Sequence, residues 1–112
     1  MTDEIKYKIE VDTVEMLRSV FDPEIPVNVY DLGLIYKIEV VESPADTDKA
    51  DINVDMTLTA PNCPAAEFIM MDIQEKLESI KNVSKVNVNL VFEPEWTKDM
   101  MSEEARLDLG LM

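Results

Sequence analysis

Three segments of this chain alternate apolar and polar residues with period two, and this limits the possible folds more than any other feature. Leu34, Tyr36, Ile38 and Val40 share one face of the first segment. Ile52, Val54, Met56 and Leu58 do so in the second, and Val86, Val88, Leu90 and Phe92 in the third. The opposite faces carry Lys37 and Glu39, then Asp51, Asn53 and Asp55, then Asn87 and Asn89. Alternation of this kind predicts strands of a sheet that is covered on one side only. The polar stretch from Glu42 to Asp48 joins the first two strands as an antiparallel hairpin.

Helical periods fill the remainder. Asp12-Thr13-Val14-Glu15 has the spacing of a capping box, and Val14, Leu17 and Phe21 follow at helical intervals. Asp22-Pro23 should stop that helix, because the residue before proline avoids helical geometry. Pro23 to Asn28 then reads as a loop. Between the second and third strands, Ala66, Ile69, Ile73, Leu77 and Ile80 form the apolar stripe of a helix from about Pro64 to Ile80. A strand-helix-strand unit of this size joins parallel strands through a crossover. A last short helix runs from Ser102 to Leu109, with Gly110 as its stop. The expected fold is a two-layer α/β sandwich, an α+β arrangement in the order α-β-β-α-β-α. Its three-stranded mixed sheet is covered by helices on one face, and residues 1–112 form one domain.

Charge and cysteine usage narrow the function. The 112 residues include 24 acidic and 10 basic side chains, a net charge of −14. Phosphate backbones and anionic membranes would be repelled, so neither nucleic acid nor membrane is an expected partner. The acidic start, Met1-Thr2-Asp3-Glu4, has no apolar targeting segment. One cysteine makes no disulfide framework, and both features favour the cytoplasm.

That cysteine is Cys63, in the run Thr59-Ala60-Pro61-Asn62-Cys63-Pro64. Pro64 suits the first position of the helix, which would make Cys63 its N-cap. The helix dipole there favours a thiolate, whereas the surplus of carboxylates raises the thiol pKa. The position is also the C-terminal end of a strand, where open α/β sheets hold ligands. Without those neighbours, a lone cysteine is a small buried residue of no chemical consequence.

Three ordered blocks carry a resemblance. Asp22-Pro23-Glu24-Ile25-Pro26 with Val29-Tyr30-Asp31-Leu32-Gly33-Leu34-Ile35-Tyr36 is the first. Thr57-Leu58-Thr59 with Asn62-Cys63-Pro64 is the second. Glu93-Pro94-Glu95-Trp96-Thr97, followed by Met100 to Arg106, is the third. Together they resemble the SufT/PaaD-like family of iron–sulfur cluster assembly factors. The resemblance implies an accessory role in maturing iron–sulfur proteins rather than an enzyme activity. It implies a functional cluster of Asp22, Glu24, Thr59 and Cys63. Some relatives carry a second threonine directly after the one matching Thr59, where this chain has Ala60.

Ligand arithmetic refines that expectation. Iron–sulfur clusters are typically held by four cysteines, and zinc by cysteine and histidine. This chain has one cysteine and no histidine. No stably bound cofactor is expected, only a transient iron or iron–sulfur cluster held through Cys63. A homodimer would bring two thiolates, enough to share a cluster with a client. The expected partners are the iron–sulfur assembly machinery and apo iron–sulfur clients, with the chain as adaptor or transient carrier. Two alternatives stay open. A thiol-dependent enzyme would use Cys63 without an imidazole partner. An assembly factor for a phenylacetyl-CoA oxygenase would be expected to carry a further cysteine-rich segment after Met112.

Three other residues bear on the site. Gly33 is expected to supply unusual backbone angles or close packing at the start of the first strand. Trp96 is expected to anchor the tail by packing, and an exposed Trp96 would mark a partner contact. Met70-Met71 and Met100-Met101 would add adaptable contact surface.

Overall fold

The computed structural model describes residues 1–23, 25–59 and 65–110. Three strands form one sheet in the order β1 (Ile35–Glu42), β2 (Ala50–Met56), β3 (Val83–Leu90). β1 and β2 are antiparallel and β2 and β3 parallel, as the hairpin and crossover require. Helices α1 (Asp3–Leu17), α2 (Ala66–Glu78) and α3 (Glu103–Asp108), with a 3₁₀ turn at Lys98–Met100, complete the expected order.

The strand faces follow the alternation. Ala50, Ile52, Val54 and Met56 of β2 are buried, and Val86 beside them on β3 is buried too. The α2 stripe of Ile69, Ile73 and Leu77 is fully buried against this layer, with Ile80 just beyond the helix. The open face is a polar ladder. Asn53 Nδ2 donates to Glu39 Oε1 at 3.1 Å, Asn87 Nδ2 to Asn53 Oδ1 at 2.8 Å, and Asn89 Nδ2 to Asp55 Oδ1 at 3.2 Å. Short amides and carboxylates at paired positions thus satisfy one another across the strands.

Four expectations are corrected. α1 starts at Asp3, not near Asp12. Thr2 Oγ1 accepts from the Ile5 amide at 3.2 Å, and Asp3 and Glu4 sit favourably on the helix dipole. Asp12 is therefore mid-helix and pairs with Lys8 Nζ at 3.2 Å, one turn away. The capping-box spacing is cryptic because an earlier cap already starts the helix.

α1 also ends sooner, at Leu17, and Phe21 is not on its stripe. Phe21 is 54% exposed and bridges to Asn28 across the loop. Phe92 is 47% exposed, because β3 stops at Leu90.

The fourth correction concerns Tyr36. Ile35 pairs with Met56, Lys37 pairs with Asp55, and the register shifts between them. Tyr36 is the extra residue of a β-bulge, so Ile35 rather than Tyr36 continues the core face.

Candidate functional site

The parallel pairing of β2 and β3 brings their C-terminal ends together. Met56 lies opposite Leu90, and the Val91 amide donates to the Met56 carbonyl at 2.8 Å. Beyond that bond the two chains diverge and enclose a cavity of about 210 Å³. Thr57, Leu58 and Thr59 line it from the β2 side, and Phe92, Glu93, Glu95 and Trp96 from the β3 side. Thr59 and Trp96, read separately in the sequence, share this one cavity. Its mouth carries Glu93 and Glu95, both exposed, so the lining is acidic and aromatic.

Trp96 is half-buried and packs against the core. Its indole Nε1 donates to the Leu32 carbonyl at 2.8 Å. This is the packing anchor expected of it. Leu32 is one of several residues between Asn28 and Tyr36 that hold the tail. Asp31 carbonyl accepts from the Ser102 amide at 2.7 Å, and Tyr36 Oη donates to the Pro94 carbonyl at 2.8 Å. Gly33 has φ +80° and lies directly under Met100, whose carbonyl carbon would be 2.7 Å from a Cβ added there. Both roles expected of Gly33, positive φ and close approach, are realised at once. Asn28 sets up this turn. Its Oδ1 accepts from the Asp31 amide and its Nδ2 donates to Asp31 Oδ2, each at 2.8 Å.

The first and third sequence blocks are therefore one structural unit. Residues 29–36, the turn before β1 and its first two residues, form a floor on which residues 94–102 rest, and residues 57–59 of the second block lie beside residues 92–96. Asp22 is buried, 4% exposed, in the loop closed by the Val29 amide to Val20 carbonyl bond at 2.9 Å. Glu24 and Cys63, the other two members of the expected cluster, lie outside the described residues. So do Pro64 and the N-cap role expected of Cys63. Helix α2 is described from Ala66, with Ala65 as its N-cap residue and no side chain capping it.

Sequence reasoning missed Tyr36, Glu93 and Glu95 as parts of the site. The last two were visible in the Glu93-Pro94-Glu95-Trp96 run. Tyr36 was concealed by its place in an apparently regular alternation. Its phenol is half-buried, and burial pushes its pKa up from the usual 10.0, with the Thr57 side chain opposing the shift.

Comparison with known proteins decides the family. Residues 10–90 match the family model described as iron–sulfur cluster assembly protein. The chain belongs to that family. It is 61% identical over 103 residues to an Fe–S protein maturation auxiliary factor of Porphyromonas gingivalis, covering 92% of each chain. It is 39% identical over 92 residues to the Fe–S protein maturation auxiliary factor SufT of Staphylococcus aureus, covering 82% of this chain and 98% of that one. Its fold superposes on the crystal structure of a domain of unknown function from Bacillus anthracis with a TM-score of 0.83. That match has 29% identity and covers 99% and 100% of the two chains. The matched family span contains Asp22, Glu24, Thr59 and Cys63 and ends before Trp96.

Among the described residues, no helix is long and apolar enough to cross a membrane. All three phenylalanines of the chain, Phe21, Phe68 and Phe92, are exposed, as is Met71 one turn along α2 from Phe68.

Proposed function

We propose that this protein is a cytoplasmic accessory factor in the maturation of iron–sulfur proteins, an adaptor or transient carrier working through Cys63 rather than an enzyme. The observation that carries the reading is the 61% identity, over 92% of both chains, to a protein named for that role. Asp22, Glu24, Thr59 and Cys63 are the proposed working cluster. Iron or a cluster is cargo in this account. A single thiolate and hard carboxylates hold soft-metal cargo weakly, which suits transfer. The partners are the assembly machinery and apo clients. Phe68 and Met71, exposed one turn apart on α2, offer apolar contact area for docking of this kind. The net charge of −14 favours basic partner surfaces.

The test is a deletion strain complemented with wild type or with Cys63→Ser. Loss of the protein should lower client iron–sulfur enzyme activity more than client polypeptide levels. Cys63→Ser should reproduce most of that loss, because a serine hydroxyl is a poor soft-metal ligand at neutral pH. Full restoration by Cys63→Ser would sink the thiol role and leave a surface adaptor.

A further inference from the structure

We propose that Tyr36 is a positioning residue of the cavity at Thr59 and Trp96, its phenol tying the exit of β2 to the exit of β3 from behind the cavity wall. Tyr36 does not line that cavity. It lines a separate, larger cleft of about 660 Å³, together with Gly33, Lys37, Asp55, Pro94 and Met100. Glu93 lines both spaces, so it is part of the partition between them.

The phenol has one proton to give and lone pairs to accept with. The proton goes to the Pro94 carbonyl at 2.8 Å. Pro94 sits between Glu93 and Glu95, two residues of the cavity wall. The strand that carries the phenol is itself bonded to the opposite wall, where the amide of buried Thr57 donates to the Leu34 carbonyl at 2.8 Å. Met100 Sδ lies 3.4 Å from the phenol oxygen, at the turn that rests on Gly33. The phenol and the Thr57–Leu34 backbone bond together set the distance between the two strand exits, and the cavity is the space between them.

The bulge makes this reach available. In a regular strand, the alternation that places Ile38 and Val40 on the core face would place Tyr36 there too, with its hydroxyl pointed into hydrocarbon. The inserted residue re-aims the ring toward the strand exits, a use to which bulges are commonly put. The raised phenol pKa keeps the donor proton in place throughout the neutral range.

Trp96 is the only tryptophan and sits on the wall that Tyr36 holds, so its fluorescence reads the cavity directly. The experiment compares acrylamide quenching of wild type, Tyr36→Phe and Thr57→Val at a temperature where all three are folded by circular dichroism. Both variants keep side-chain volume; Tyr36→Phe removes the bond to Pro94 and Thr57→Val leaves it in place. The expected result is an increase of roughly twofold in the quenching constant for Tyr36→Phe, as the wall opens locally, and no change for Thr57→Val. The indole N–H of Trp96 should exchange faster in Tyr36→Phe and at the wild-type rate in Thr57→Val. A purely structural role would lower the unfolding midpoint and leave quenching and exchange unchanged, and that outcome overturns the proposal.

The functional half rests on the maturation reading. Tyr36→Phe should lower client activity in the deletion strain together with the shift in Trp96, whereas Cys63→Ser should lower activity without that shift. Client activity left intact by Tyr36→Phe would overturn the functional half. The fluorescence arm contains no iron–sulfur client, so a failure of the maturation reading would show only in the strain assay.

Discussion

The indole Nε1 of Trp96 and the main-chain carbonyl of Leu32 meet at 2.8 Å across 64 residues of sequence. Leu32 is fully buried, so this carbonyl has lost its water and depends on the indole. The bond secures the tail to the loop before β1 and sets one wall of the candidate site.

Replacing Trp96 with Phe keeps an aromatic body and removes the donor. The expected cost is about 1–3 kcal/mol, that of leaving a buried carbonyl unpaired. Urea unfolding followed by circular dichroism should show a lower midpoint with an unchanged slope. An unchanged midpoint would mean that the carbonyl finds another donor.

Gly33 and Gly110 form a matched pair. Both have positive φ, +80° and +71°, but only Gly33 has neighbours where a Cβ would go. Gly110→Ala should cost about 1 kcal/mol from backbone strain alone. Gly33→Ala adds a clash with the backbone of Met100 and should cost about 3 kcal/mol or more. Thermal unfolding of the two variants separates the terms. Equal losses would mean that the 3₁₀ turn moves aside freely.

The Tyr36 phenol predicts a pH dependence at the alkaline end. Burial raises its native pKa above 10.0, so the folded state holds the proton more tightly than the unfolded state. The resulting stability is complete below about pH 10, where both states are protonated. It declines above that and is lost as pH rises through the native value. Tyr36→Phe should remove this part of the alkaline decline and delete a step above pH 10 from the tyrosinate absorbance titration. An alkaline decline in stability that is the same in wild type and Tyr36→Phe would contradict the assignment.

Much of the fold was legible because it is written locally. A period-two pattern assigns faces without knowledge of the neighbours, and Val54 and Val86 are buried as that pattern requires. The α2 stripe and the last short helix were equally plain, although Ser102, read as its first residue, is its cap, with Oγ accepting from the Ala105 amide at 3.1 Å. The start of α1 was not, because two capping signals competed and only one can open a helix. Of the site, Thr59 and Trp96 could be singled out by residue type and resemblance. Their convergence could not, since it depends on how far each strand runs before leaving the sheet.

The sequence by itself determined the element order, the strand faces, the mixed sheet and the family, because hydrophobic period, turn residues and motif blocks are properties of short segments. Only the tertiary structure decided that Tyr36 leaves the core face, that Gly33 lies under Met100, and that Thr59 and Trp96 share a cavity. Each of these is a two-body fact. A bulge exists only relative to the partner strand, a close approach only relative to the chain above it, and a cavity only between walls that the fold brings together.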